Sequence, residues 1–360
     1  MTLTVTFDTQ HLYYLPQYLP VADKLRQQGV DCGFTVYGDD MQVDITRLAI
    51  KEAGFRYQEL ANKKNALAHY ANSRSGWVVF GNVPAFSVKD KEQIDARLVL
   101  MQHGIGPKAC YYDVSEYPFD VRFVEGQERL KRLEARFPQR QFVDTGYAKL
   151  DPVFNNEGQS PLTLADLGLD PAKPTLLYAP TFFPSSIEHL PSDWPQQLAQ
   201  YNLIIKPHYF SLTKPKYRAQ RDQFSTWQQY KNVYFAGVED YNLVPFMKLA
   251  DVMLSDASSA IFEFAALDKP VIWCDFYRTR WSYSGLFKFR LKQRLDPDIE
   301  MFHELATRAK SAKHITKAVA HCLKHPDEKK AAREDLVNAM VGKTDGNCGA
   351  RIVDYLISHA

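Results

Sequence analysis

The sequence predicts an α/β protein made of two doubly wound, parallel-sheet domains with a cleft between them. Three observations predict it. Short apolar runs alternate with amphipathic segments from one end of the chain to the other. The runs are rich in Val, Ile, Leu and aromatics, as expected for strands covered by helices on both faces. The alternation breaks once, at the Asn/Gly/Pro/Ser-rich stretch 154–174, and then restarts.

In chain order the first domain shows strand patterns at LTVTF (3–7), CGFTVYG (32–38), GWVVFGN (76–82), RLVLMQHG (97–104), DVRFVEG (120–126) and QFVDTGY (141–147). Between them lie helical patterns at PVADKLRQQG (20–29), TRLAIKEAG (46–54) and ERLKRLEARF (128–137), with apolar residues recurring at helical spacing. The second series has strands at TLLYAPTF (175–182), NLIIKPH (202–208), NVYFAG (232–237), DVMLSDA (251–257) and KPVIWCDF (269–276). Helices are expected at DWPQQLAQ (193–200), at NLVPFMKLAD (242–251), and from Lys310 to the end. The division is therefore 1–154, a linker at 155–174, and 175–360, with the last helix able to pack back on the first domain.

Composition narrows the function classes. A 360-residue chain that is 45% hydrophobic and 24% charged can bury two cores. Its formal net charge of +2 gives no broad field for nucleic acid, so any attraction to anions is local. The five cysteines are scattered without a C-x-x-C pair, which fits a reducing compartment better than a disulfide framework. The opening residues enter a strand pattern without a signal-peptide core, and no run approaches the ~20 apolar residues of a membrane span. The expected location is the cytoplasm.

In open α/β sheets ligands bind beyond the carboxyl ends of the strands, so polar residues at those ends are the candidates. LSDASS ends one strand and opens a helix; Ser258 and Ser259 there can cap the helix or donate to a phosphate, with Asp256 just before them. QHGIGPK places His103 and Gly104 at another tip, with Lys108 following as a possible phosphate or acceptor contact, although a lone lysine is more often solvated. Histidine can take a proton near neutral pH, and glycine allows close backbone approach. KPH delivers Lys206 and His208 together, a pairing suited to a diphosphate. Thr181 in YAPTF can donate to a ligand oxygen. In TGYAKLD, Lys149 and Asp151 form a local ion pair at the hinge on the bland reading, while Lys149 is also a possible phosphate or acceptor contact.

Other chemistries lack their motifs. There is no G-x-x-x-x-G-K-[ST], no G-x-G-x-x-G and no G-x-S-x-G. His314, His321 and His325 sit in a basic helical stretch without zinc spacing, so neither a metal nor a cofactor is expected. GLFKFRLKQRL (285–295) alternates apolar and basic residues and suits either an edge strand or peripheral contact with anionic lipid.

Taken together, QHG (102–104), TGYAKLD (145–151), YAPTF (178–182), IKPH (205–208), LADVMLSDASSAIFEFAALDKPVI (249–272) and DGNCGARIVDYL (345–356) resemble the CDP-glycerol glycerophosphotransferase family, the primases and polymerases of teichoic-acid-type polymers. The resemblance implies a GT-B fold with the nucleotide donor in the second domain. It implies that His103 is the general base on an acceptor hydroxyl and that His208 contacts the donor diphosphate. Lys206, Asp256, Ser258, Ser259, Thr181 and Gly104 would hold the donor. The partners implied are a CDP-activated polyol and a polymer or lipid-linked acceptor, at or near the inner face of the membrane. The family's tyrosine in D-Y-S-S is Ala257 here, and its arginines after Y-A-P-T-F and in G-x-P-R-x-D are Phe183 and Lys149. The donor is thus open between CDP-glycerol, CDP-ribitol and another activated group. A nucleotide-sugar glycosyltransferase, a UDP-sugar 2-epimerase and a non-catalytic relative are the alternatives.

Overall fold

The computed structural model describes residues 3–73, 75–106, 110–155, 162–256, 258–277 and 301–360. Lys108, Ala257 and the 285–295 stretch lie outside the described residues. The chain forms two compact units. The first comprises Met1–Ile105, Cys110–Glu157 and Asn338–Ala360; the second comprises Gly106–Ala109 and Gly158–Val337.

The first unit is built on seven parallel strands: β1 (Thr4–Thr9), β2 (Asp31–Tyr37), β3 (Tyr57–Leu60), β4 (Trp77–Phe80), β5 (Arg97–Met101), β6 (Val121–Val124) and β7 (Phe142–Asp144). Their order across the sheet is β3-β2-β1-β4-β5-β6-β7. The chain reverses its direction of winding between β1 and β4, which creates the crevice where such sheets take ligands. The central strands β4 and β6 are buried along their whole length, which is why they read as continuous apolar runs. β3, in contrast, is an edge strand with exposed Gln58 and Glu59, and nothing in the apolar pattern of YQEL announced it.

The second unit holds β8 (Thr175–Tyr178), β9 (Asn202–Ile205), β10 (Val233–Phe235), β11 (Val252–Ser255), β12 (Val271–Cys274) and β13 (Ala306–Ala309). Their order is β10-β9-β8-β11-β12-β13, again all parallel, with the reversal between β8 and β11. Tyr178, Trp194, Trp227 and Leu254 sit in its core. The expected helix at 193–200 is a short 3-10 turn, Trp194–Leu198. Pro195 starts it, and the burial of Trp194 and Leu198 fixes its orientation without requiring a full α-helix. β13 is the other strand that sequence reading passed over: ATRA lacks a run of large apolar residues.

The end of the chain belongs to the first unit, where it meets the TGYAKLD segment. Asp151 accepts hydrogen bonds from the amides of Cys348 (3.1 Å) and Gly349 (2.6 Å), the first residues of the last helix, Cys348–Ser358. Its carboxylate thus satisfies orphan N–H groups of that helix, which corrects the expectation that Asp151 serves mainly as an ion-pair partner of Lys149. Arg351 clamps Asp345 with both terminal nitrogens (2.8 and 2.9 Å) and donates through Nε to the Thr145 carbonyl (2.9 Å). TGYAKLD and DGNCGAR are two halves of one latch.

Gly126 and Gly342 sharpen the same crossing. Both have positive φ, +75° and +78°, and a Cβ on Gly342 would lie 2.7 Å from Gly126 N. A Cβ on Gly126 would press into the Ala339 carbonyl. Gly126→Ala therefore meets backbone on one side and an unfavourable φ on the other. It is expected to lower stability by about 2–4 kcal/mol, read from urea unfolding. An unchanged midpoint would mean that the return segment is not held there.

Candidate active site

The first unit contributes a histidine with a defined proton. β5 ends at Met101, and Gln102 follows buried, so His103 emerges at the strand tip half-buried. Its Nδ1 lies 2.9 Å from the Gly81 carbonyl, at the tip of neighbouring β4. The Gln102 amide nitrogen also approaches Nδ1, at 3.4 Å, but the shorter contact is to a carbonyl that only accepts, so the proton is assigned to Nδ1 and Nε2 is the basic nitrogen of the neutral ring. The ring stacks on Tyr14 (centroids 5.0 Å apart) and meets Tyr13 edge-on at 5.1 Å. Tyr147 donates its hydroxyl to the His103 carbonyl (2.9 Å). Gly104 is small because Tyr111 fills the space: a Cβ there would lie 2.9 Å from the Tyr111 Cζ. Its place is set by packing.

The second unit presents the tips of β8, β9 and β11, neighbours in its sheet. His208 follows β9 and caps the short helix Tyr209–Thr213: its Nδ1 accepts from the amide of Phe210 at 3.0 Å. Nδ1 is therefore unprotonated, and the neutral ring keeps its proton on Nε2. His208 is thus a donor where His103 is an acceptor. Phe182 packs on the His208 ring at 4.7 Å. Lys206 sits two residues earlier, largely buried, its amide bonded to the Tyr178 carbonyl (2.9 Å).

Asp256 occupies the switch point between β8 and β11, and its role differs from the expected ligand contact. It is fully buried. Oδ1 accepts from the Thr181 amide (2.6 Å), and Oδ2 accepts from the Ser186 amide (3.0 Å) and the hydroxyls of Ser185 and Ser186 (both 3.1 Å). Burial pushes its carboxyl up to about 6, against the pull of those donors. Asp256 shapes the loop after β8 instead of reaching outward. Thr181 is buried too, held through its amide by that bond.

Ser258 and Ser259 are half-buried at the start of the helix Ala260–Ala265. Ser258 accepts from the Ala260 amide through Oγ (3.3 Å), and its own amide donates to the Asp256 carbonyl (2.7 Å). Ser259, at the N-cap position, makes no side-chain cap bond. The capping function expected of both serines falls to Ser258. Lys149, in the other unit, is half-buried and bonds through its amide to Gln17 Oε1 (3.0 Å).

The structure thus brings Lys206, His208, Thr181, Asp256, Ser258 and Ser259 to three adjacent strand tips of one sheet, and sets His103 and Gly104 in the other unit. Sequence reading missed Ser185 and Ser186, which complete the Asp256 cluster, and the tyrosine pair under His103. The doublet after YAPTF was a visible signal for the serines. Nothing local signalled the tyrosines. Among the described residues, no helix is long and apolar enough to cross a membrane.

Comparison with known proteins agrees with this architecture. The family model described as CDP-Glycerol:Poly(glycerophosphate) glycerophosphotransferase matches residues 108–358. The teichoic acid glycerol-phosphate primase of Bacillus spizizenii is 32% identical over 159 residues, 42% of this chain and 39% of the primase. The teichoic acid poly(glycerol phosphate) polymerase of the same organism is 24% identical over 160 residues, 39% of this chain and 37% of that protein. The matches therefore span about two fifths of these curated relatives. The structure of the wall teichoic acid polymerase TagF superposes with a TM-score of 0.69 at 13% identity, covering 99% of this chain and 88% of that one. A UDP-N-acetylglucosamine 2-epimerase superposes with a TM-score of 0.63 at 13% identity, covering 100% of this chain and 96% of that one. Both establish the fold, which is GT-B.

Proposed function

Because the chain belongs to the CDP-glycerol:poly(glycerophosphate) glycerophosphotransferase family, we propose that it transfers glycerol phosphate, or a related polyol phosphate, from a CDP-activated donor to an acceptor hydroxyl. The product would be a teichoic-acid-type surface polymer, and CMP the leaving group. The observation that carries the reading is the opposite proton placement in the two histidines. His103 offers a basic Nε2, and His208 offers an Nε2–H.

In this mechanism the acceptor hydroxyl gives its proton to Nε2 of His103 as its oxygen bonds to the β-phosphorus. The bond from that phosphorus to the bridging oxygen breaks, and CMP departs with the electron pair. Phosphoryl transfer asks the protein mainly for positioning and for neutralising charge. The Lys206 ammonium, the Nε2–H of His208 and the hydroxyls of Ser258 and Ser259 are the donors assigned to the diphosphate. Thr181 contributes through the loop it anchors, and Asp256 holds that loop. Gly104 gives His103 its close-packed setting. Lys149 remains a candidate acceptor contact of the first unit. The reaction is assigned to the cytoplasm, with a polymer or lipid-linked acceptor at the inner membrane face and residues 285–295 as the membrane contact.

The test is a donor panel. Purified protein is incubated with CDP-glycerol, CDP-ribitol and UDP-sugars, with and without a polyol-phosphate acceptor, and nucleotide release is followed by chromatography. Acceptor-dependent CMP release from a CDP-polyol, with no UDP from the sugars, is the expected result. UDP release, or nucleotide release that ignores the acceptor, would overturn the assignment.

A further inference from the structure

The tips of β1, β2 and β3, adjacent in the first sheet, carry three groups that none of the motifs above includes: His11, Asp40 and Lys63. His11 Nδ1 lies 3.0 Å from Asp40 Oδ2, and its Nε2 lies 3.5 Å from Lys63 Nζ. An ammonium can only donate, so Nε2 is the acceptor there and the ring proton sits on Nδ1, given to the carboxylate. The second oxygen of Asp40 accepts from the Gln42 amide (2.9 Å). Burial works to raise the Asp40 carboxyl, but the bonds from His11 and Gln42 outweigh it and hold it below its ordinary value. The relay therefore runs from a firmly ionised carboxylate, through a neutral imidazole, to a lysine head.

The arrangement has a direction. Asp40 is 10% exposed and His11 29%, and Lys63 is half-buried, so the carboxylate is the more buried end of the pair. A lysine on a flexible stem ordinarily wanders; here one contact at 3.5 Å, to a His11 ring that Asp40 holds in turn, biases where its charge stands before any ligand arrives. The relay also adjoins the candidate base. His11 stacks on Tyr13 at 5.2 Å with the rings 13° apart, and Tyr13 in turn meets His103 at 5.1 Å. One tyrosine ring separates the relay from His103. A polyol phosphate with its anion at Lys63 and its chain across Tyr13 would bring a free hydroxyl toward Nε2 of His103.

We infer that Lys63, positioned by Asp40 and His11, is the residue of this chain that binds the phosphate of the acceptor's terminal unit. This rests on the reading of His103 as the base that activates the acceptor. Lys63 is the binding residue; Asp40 and His11 are positioning residues.

The experiment separates the two readings by measuring binding without turnover. Glycerol phosphate is titrated into the full chain and its affinity read from histidine ring resonances, with glycerol alone as the control probe. Lys63→Ala should weaken glycerol phosphate by about 10- to 100-fold, the loss expected for a charge-assisted bond. Lys63→Arg should restore part of it, and Lys64→Ala, at an exposed neighbour, should leave it unchanged. Asp40→Asn should raise the acceptor KM with kcat nearly constant. CDP-glycerol affinity should stay at the wild-type level in all four, and matching melting temperatures report that they fold. Undiminished binding by Lys63→Ala, equal losses in Lys63→Ala and Lys64→Ala, or glycerol binding as well as its phosphate would each overturn the inference. Absence of CMP release in the wild type, with the binding pattern intact, would instead count against the transferase reading alone.

Discussion

Replacing His103 with alanine is expected to lower acceptor-dependent CMP release by about 10³-fold, within the range typical of losing a general base, while leaving donor affinity within about two-fold. Only the Nε2 lone pair is lost to chemistry, since the histidine's other nitrogen is committed to the Gly81 carbonyl. His103→Gln refines the test. A glutamine amide can still donate toward Gly81 but cannot take a proton at neutral pH, so it should be as inactive as alanine with a melting temperature close to wild type. Substantial activity in His103→Gln, or equal losses of donor binding and turnover in His103→Ala, would mean that this imidazole is a packing element on Tyr14.

Asp256→Ala is expected to cost about 3 kcal/mol in stability, because it leaves the buried amides of Thr181 and Ser186 without acceptors. The pH dependence has a definite sign. The carboxyl is raised from 3.8 to about 6 in the folded protein, so folding favours its protonated form. Its contribution to stability is full below about pH 4 and is lost as pH rises through about 6. Measured by urea unfolding, wild type should therefore lose stability relative to Asp256→Asn between pH 4 and 7, by up to about 3 kcal/mol. A difference that stays flat, or that grows in the opposite sense, would mean that the donors around Asp256 dominate burial. Asp151, pushed up to about 6 chiefly by burial as well, remains in both proteins and cancels in the comparison.

These two residues also mark how far the chain could be read unfolded. QHG placed His103 at a strand tip, and the tip is where it stands. The loop-and-helix position of Ser258 and Ser259 was equally visible. Asp256 was visible as a polar residue at the same tip, but its direction was not. A carboxylate at a strand end faces either outward or into the sheet's crevice, and the partners that settle the matter, Thr181 and Ser186, lie 75 and 70 residues away. Asp151 was misjudged for the same reason: Lys149 is its neighbour in sequence, while the amides that bind it are 197 and 198 residues distant. His11, Asp40 and Lys63 carried no motif at all, because each belongs to a different strand tip.

By itself, then, the sequence determined the two parallel-sheet units, most of their strands and the family to which the chain belongs, since burial on both faces and helical spacing are written in local residue order. Tertiary structure alone decided which strand tips are neighbours. That choice set the proton on each histidine, turned Asp256 inward and assembled the Asp40–His11–Lys63 relay, because hydrogen-bond partners are selected by proximity in the folded sheet and not by distance along the chain.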